Sequence, residues 1–261
     1  MFRRFVKTVL LGLLRLKSSP LGTPARSLMV FAPHQDDETL CCGGTIAAAT
    51  SAGSTVHVVY LTDGGQAGGT QLSGPLAEVR RQEAINACAV LGVPEKQVLF
   101  LGFPDGDLSG HQERALAAVK AALAKCTPEE VFVPARIDAH PDHQETNRLV
   151  RLAAKTLPKE VMIYECPVWA FNSWPFVRPE GFRLNRYWLR RTAGVMTSLI
   201  WCINVRRYVR AFLPQKREAI RAHTSQFEGE SSLTTGSGGE WLQNFFTGSE
   251  FYFRYSSRDG D

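Results

Sequence analysis

The 261-residue sequence has no uninterrupted apolar stretch near the roughly 20 residues that a helix needs to cross a bilayer core, which excludes an ordinary transmembrane span. It has no C-x-x-C either. Its six cysteines, at 41, 42, 88, 126, 166 and 202, follow no regular spacing, so neither a disulfide framework nor a structural zinc knuckle is expected and a reducing compartment fits. The run Gly64-Gly65-Gln66-Ala67-Gly68-Gly69 lacks the Gly-Lys-Ser/Thr of a nucleotide P-loop and does not follow the first strand, where a dinucleotide fingerprint would sit. Acidic residues are missing from positions 1–17, which carry Arg3, Arg4, Lys7, Arg15 and Lys17.

What is present, 44% hydrophobic and 21% charged residues, describes a globular chain long enough for one large α/β domain or two small ones. The net charge of +5 is unevenly spread: residues 178–221 hold eleven Arg or Lys against Glu180 and Glu218, so the body outside the two basic segments is acidic. Basic segments beside apolar residues point to an anionic surface such as lipid headgroups, and not to nucleic acid. In the tail, segment 1–20, Phe2, Val6, Val9, Leu10, Leu13 and Leu14 recur at three- and four-residue steps while Lys7, Leu11 and Arg15 follow another line, the pattern of a basic amphipathic helix. Such a helix either lies on a membrane or packs on the body of the protein. A secretory signal fits less well, because the apolar run 8–14 is short, is closed by Arg15 and Lys17, and precedes no small-residue cleavage site. The expected location is cytoplasmic, with a peripheral position on the inner face of the membrane as the alternative.

From residue 27, β-branched or apolar runs alternate with helical patterns: strands over 27–32, 56–62, 98–101, 131–134 and 161–165, helices over 40–52, 76–91, 111–125 and 143–157. This alternation predicts a Rossmann-like α/β fold, a mostly parallel sheet with helices on both faces, whose ligands collect beyond the carboxyl ends of the strands. Residues 167–215 break the rhythm with ten aromatics and the apolar stretch 193–205 between arginine pairs; they read as an insertion or cap on a domain spanning 21–261. Residues 231–239 read as a flexible Ser/Thr/Gly loop and 251–255 as a last strand.

Strand 27–32 runs into Pro33-His34-Gln35-Asp36-Asp37-Glu38, one imidazole and three carboxylates in five consecutive residues. Adjacent carboxylates become tolerable around a cation, and His34 with Asp37, three apart, can reach one metal from the same side; Asp36 then points elsewhere, placed to take a proton from water. Helix capping needs one acid, not three with a histidine. Strand 131–134 leads to Asp138-Ala139-His140-Pro141-Asp142-His143. With His143 as third ligand, His34, Asp37 and His143 form a His2Asp set with an open position, a catalytic zinc arrangement that makes hydroxide available near neutral pH. His140, its ring held by Asp142, would then act on the transition state as an imidazolium. On spacing alone, the roles of His140 and His143 can be exchanged.

Ala32 through Glu38 with His140-Pro141-Asp142-His143 resembles the PIG-L/LmbE-like family of zinc-dependent N-acetylglucosamine deacetylases. The similarity extends through Leu61-Thr62-Asp63-Gly64, Arg80-Arg81-Gln82-Glu83-Ala84, Leu91-Gly92-Val93, Phe103-Pro104-Asp105 and Lys216 with His223-Thr224-Ser225-Gln226, most of residues 27–227. The resemblance implies His34, Asp37 and His143 as ligands of Zn2+, with Fe2+ as a second candidate. It makes Asp36 the general base, with His140 and Asp142 assisting the oxyanion and leaving amine. Arg80 would hold substrate hydroxyls or phosphate, with an exposed pair to Glu83 as the plainer reading. Asp63 would meet sugar hydroxyls or stabilise its own Gly64-Gly65 turn, and His223 and Gln226 would add a late wall to the pocket. Cys41 and Cys42 read as small buried residues, not ligands. Gln35 stands where the family usually has proline, which would loosen the turn, and 167–215 matches nothing in the family.

The expected activity is removal of the N-acetyl group from an N-acetylglucosaminyl substrate, lipid- or polyprenyl-linked, by an enzyme whose partners are that amino sugar, an anionic membrane surface and, in a homo-oligomer, its own copies. The rival readings are an amidase acting on a thiol conjugate and a sugar-binding scaffold without activity.

Overall fold

Alternation of side chains along the strand Ser27–Ala32 (β2) sends Leu28, Val30 and Ala32 into one hydrophobic cluster and Met29 and Phe31 into another, so both faces of the sheet are covered. The computed structural model of the chain describes residues 2–66, 75–177, 186–227 and 236–259. Parallel to β2 run Thr55–Thr62 (β3), Val98–Phe103 (β4), Glu130–Pro134 (β5) and Met162–Cys166 (β6). The short strand Ser19–Pro20 (β1), Val205–Tyr208 (β7) and Ser249–Ser256 (β8) complete an eight-stranded sheet in the order β1-β7-β8-β6-β5-β2-β3-β4. The last strand, β8, is antiparallel to both β6 and β7.

One cluster joins the sheet to helices Asp37–Ser51 (α2), Pro75–Val90 (α3) and Leu213–Arg221 (α7), through residues such as Ile46, Ala84 and Ala219. The other joins it to Gln112–Cys126 (α4) and Pro141–Ala154 (α5) through Ala115, Val119, Leu149 and Val150. The expected strands and helices are therefore present, within a few residues of their predicted ends. The aromatic segment departs from expectation: its helix Arg186–Cys202 (α6) feeds β7, which enters the sheet, so the segment builds the body as well as covering it. Two short helices follow α7, Thr224–Phe227 (α8) and Gly236–Leu242 (α9), the latter inside the predicted 231–239 loop, whose first five residues lie outside the described ones along with 178–185.

The basic tail forms a helix, Phe2–Lys17 (α1). It packs on the body through Leu10 and Leu14, both buried, and Arg3 fastens it by an ion pair of 2.6 Å to Glu240 and a hydrogen bond of 2.9 Å to the Phe176 carbonyl.

Helix α2 is broken at Cys42, whose φ of −144° lies outside the helical range. The break frees backbone groups in a buried place, where leaving them unpaired is costly. Glu250 on β8 accepts from Gly44 N (2.9 Å), Thr45 N (2.8 Å) and Thr45 Oγ1 (2.7 Å), while Lys216 donates to the Leu40 carbonyl (3.0 Å) and to Glu250 (2.7 Å). A side chain at Gly44 would collide with Val209, the nearest atom lying 2.6 Å from the Cβ position, so this close approach requires glycine. Lys216 and Glu250 are both buried. Replacing Lys216 with Met leaves the Glu250 carboxylate without its cation, and the expected loss is about 3 to 5 kcal/mol of stability, read as a lowered denaturation midpoint. A loss within experimental error would show that the pair does not hold the broken helix to the sheet.

Candidate active site

Strand order places the chemistry. β3 and β4 lie on one side of β2, β5 and β6 on the other, so the order of the strands reverses between the parallel neighbours β2 and β5, the position where an open α/β sheet leaves a crevice at its carboxyl edge. The loop after β2 carries His34 to Asp36, and α2 begins at Asp37; the loop after β5 carries Asp138 to His140, and α5 begins at Pro141. β3, β4 and β6 deliver Gln66, Asp105 and Trp169 to the same edge, around a cleft of about 440 Å3. Its walls also include Asp36, Arg80, His140, Gln226 and Trp241.

His34, Asp37 and His143 converge. Asp37 Oδ2 lies 3.2 Å from His34 Nδ1 and 3.2 Å from His143 Nε2. His143 is fully buried, and its Nε2 has no aligned hydrogen-bond partner. Its other nitrogen, Nδ1, is 3.1 Å from Asp138 Oδ2. The Asp138 carboxylate is fixed in turn by backbone donors Val168 N (3.0 Å) and Ala170 N (3.3 Å). With Nδ1 engaged by Asp138, Nε2 is the nitrogen that faces Asp37, and an imidazole held this way by a carboxylate is the usual support of a metal-binding histidine. Two imidazole nitrogens, each 3.2 Å from one carboxylate oxygen, fit a divalent ion of zinc type.

Burial opposes the charge of Asp37, but His143 and His34 outweigh it and hold its carboxyl well below the usual carboxylate range. Burial likewise opposes a charge on His143; Asp37 and Asp138 outweigh it and push the ring up to about 9. Asp36 behaves oppositely: burial and then the charge of Asp37 push its carboxyl up to about 7. Of the three consecutive acids only Glu38 meets the helix start, accepting from the N-cap Asp36 N (3.1 Å). Asp36 makes no capping bond through its side chain, Asp37 turns to His34, and Glu38 turns to His223 (3.0 Å) and to Thr39 Oγ1 (2.5 Å). Asp36 also holds φ at 142°, a left-handed backbone that a residue with a Cβ rarely takes, and it directs the side chain into the cleft.

The second cluster differs from expectation in its pairing. Asp142 does not hold the His140 ring: its carboxylate accepts from Gly106 N (2.8 Å) and Leu108 N (3.2 Å) and lies 3.2 Å from His34 Nε2, with Asp105 Oδ1 3.1 Å from the same nitrogen. As the first-turn acid of α5 it faces toward β4, away from the cap residue. His140 is that N-cap, and its Nδ1 accepts from Asp142 N (3.2 Å), with Pro141 supplying a preset first turn. An Nδ1 that accepts puts the ring proton on Nε2. Burial and the neighbouring His34 and His143 rings lower its pKa, so the expected imidazolium is replaced by a neutral ring with one N–H to donate.

Among the expected substrate residues, Arg80 lines the cleft, donates to the Gly64 carbonyl (2.7 Å) and keeps a buried Nε without a partner. Its expected exposed partner Glu83 is engaged elsewhere, accepting from Thr224 Oγ1 (2.6 Å) and Ser225 N (2.7 Å). Asp63 stays out of the cleft lining; Oδ1 accepts from Gly65 N (3.0 Å) and Asp105 N (3.2 Å), the turn-stabilising role open to a carboxylate before Gly-Gly. His223 is buried against Glu38 and is no part of the cleft wall; Ser225 and Gln226 are. Gln35 tightens the turn it was expected to loosen: its amide donates to the Thr62 carbonyl (2.9 Å), its own carbonyl accepts from Gln226 Nε2, and its Oε1 packs on Gly64 so closely that a Cβ there would lie 2.1 Å away. Cys41 and Cys42 are buried and free of disulfides, and burial pushes the Cys41 thiol up to about 12.

Four residues of the site carried no role in the sequence reading. Asp105 and Asp138 stood in quoted motifs but became supports of His34 and His143 only once the strands paired. Trp169 and Trp241, stacked at 5.6 Å between centroids with Trp169 against the His140 ring at 6.0 Å, form an aromatic wall for which local sequence has no signal.

The family model PIG-L, described as GlcNAc-PI de-N-acetylase, matches residues 29–154. A probable N-acetyl-alpha-D-glucosaminyl L-malate deacetylase 2 of Bacillus anthracis is 29% identical over 212 residues, covering 77% of this chain and 82% of that protein. A 1D-myo-inositol 2-acetamido-2-deoxy-alpha-D-glucopyranoside deacetylase of Nakamurella multipartita is 32% identical over 152 residues, 54% of this chain and 48% of its own. The solved N,N'-diacetylchitobiose deacetylase of Pyrococcus horikoshii shares the fold with a TM-score of 0.65 at 21% identity, over 98% of this chain and 93% of that one. Both halves of the histidine and carboxylate cluster lie between residues 29 and 154, so the chain carries its candidate chemistry within the stretch that is similar to the PIG-L family model.

Proposed function

We propose that this protein is a metal-dependent N-deacetylase that cleaves the acetamide of an N-acetylglucosaminyl substrate to acetate and a free amine. The observation that carries the reading is the convergence of His34 Nδ1 and His143 Nε2 on Asp37 Oδ2, beside a cleft that Asp36 also lines. His34, Asp37 and His143 would hold the ion, zinc being the best match to the donor set. When bound, a divalent ion polarises an amide carbonyl and acidifies water. Asp36 takes the proton from the water that attacks the carbonyl carbon, the Nε2–H of His140 donates to the oxygen as it gains charge, and Asp36 returns the proton to the nitrogen as the C–N bond breaks. Asp138 and Asp142 hold the rings of His143 and His34 in place.

Arg80 orients hydroxyls or a phosphate on the sugar, and Trp169 with Trp241 packs on its apolar face. Trp169→Ala is expected to raise KM about tenfold with a smaller change in kcat; an unchanged KM would remove the tryptophans from substrate binding.

The test of the reading is acetate release from a panel carrying N-acetylglucosamine on malate, on inositol and on a polyprenyl phosphate, against thiol-conjugate amides. Hydrolysis confined to the sugars supports it, and the polyprenyl arm decides the lipid-linked form. Hydrolysis of the thiol conjugates alone makes the chain an amidase of another class, and sugar binding without acetate release makes it a scaffold.

A further inference from the structure

The apolar residues of α1 divide between two faces. At 3.6 residues per turn, Phe2, Phe5, Val9, Leu13 and Leu16 fall within an arc of about 80°, roughly 120° round the helix from the buried Leu10 and Leu14. All five are between 44 and 85% exposed. The stripe therefore is not the packing face; it points away from the body that the helix already grips. At its far end α6 packs beside α1 and closes in Trp201, 76% exposed, with Lys17 Nζ 5.6 Å above the indole. Lys17 lies about 40° beyond one edge of the stripe and Arg15 and Arg4 about 80° and 100° beyond the other; all three are exposed, and no acid occurs in α1. Arg15 and Lys17 donate to the carbonyls of Thr247 and Ile200, contacts that use hydrogen bonds and neutralise no charge.

We infer that α1 and Trp201 form a docking surface for an anionic phospholipid bilayer, with the stripe seated at the boundary of headgroups and acyl chains and the cations among the phosphates. Charge complementarity selects this occupant. A second copy meeting the same face would set one basic helix against another, which costs affinity. The surface is also fixed relative to the cleft, since Arg3 pairs with Glu240 and the next residue, Trp241, forms cleft wall. The inference rests on α1 and the end of α6 and holds whatever substrate the cleft takes.

The test is flotation of the full chain with phosphatidylcholine vesicles, with and without phosphatidylglycerol. Binding is expected only to the phosphatidylglycerol vesicles and is expected to weaken with salt. The variant Phe5→Ser/Leu13→Ser/Leu16→Ser, changed only at exposed positions, is expected to keep its melting midpoint and bind at least about tenfold less. Brominated anionic lipid should quench the wild type, and Trp201→Phe should lose that part of the quenching. The inference is overturned by a wild type that ignores anionic vesicles, by equal binding to neutral ones, by undiminished binding of the triple variant, or by unchanged quenching in Trp201→Phe. A dimer in the absence of lipid that the triple variant abolishes would also overturn it, assigning the face to a second copy.

Discussion

Asp36→Asn is expected to lower kcat by about 10^2- to 10^4-fold while bound metal stays at the wild-type level. Asparagine is chosen because Asp36 sits at φ 142°, and a short polar side chain that bonds locally is among the few that tolerate positive φ, so the turn before α2 survives. The substitution removes the one carboxylate of the first cluster that bonds neither a histidine nor the helix end, and it also relieves the repulsion between Asp36 and Asp37. A folding defect is therefore not expected, and a melting midpoint beside metal analysis and acetate release separates chemistry from stability. If Asp36→Asn loses metal to the same extent as His34→Ala, Asp36 is a ligand and the role assigned to it fails.

The second large effect distinguishes the two histidines of α5. His143→Ala is expected to strip the protein of metal and reduce activity to background, whereas His140→Ala is expected to keep the metal and lose about 10^2- to 10^3-fold in kcat, the scale of one lost oxyanion donor. Truncating His143 also strands the buried Asp138 carboxylate, a cost of about 1 to 3 kcal/mol that by itself lowers the midpoint. Asp138→Asn addresses this: it leaves the His143 ring in place, and it is expected to weaken metal binding by about ten- to a hundredfold. The reverse pattern, metal lost in His140→Ala and kept in His143→Ala, would falsify the ligand set and revive the exchange that spacing alone permits.

The elements and both reactive clusters were legible in the sequence because the signals behind them are local. Short apolar or β-branched runs mark β2 through β6, and density of charge marks 34–38 and 138–143, where acids and histidines gather beyond what a helix cap requires. The tail was legible as an amphipathic helix for the same reason, although its two apolar faces were read as one. Local reading failed where a residue's partner is distant in the chain. Asp142, expected to hold the nearby His140, serves His34, 108 positions away; His223, expected in the pocket, neutralises the buried Glu38, 185 positions away; and Glu83, whose pairing with Arg80 was the plainer alternative, holds Thr224.

The sequence by itself determined a parallel α/β sheet and the two groups of metal-type donors at the ends of its strands, since pattern and composition are written into neighbouring residues. Tertiary structure alone decided that β5 pairs with β2, Leu28 beside Glu130, and this pairing sets Asp37 within 3.2 Å of both His34 and His143. It also decided which acid serves which imidazole, because a carboxylate buried by the fold takes its charge and hydrogen bonds from whatever the packing brings near, and chain separation does not enter that energy.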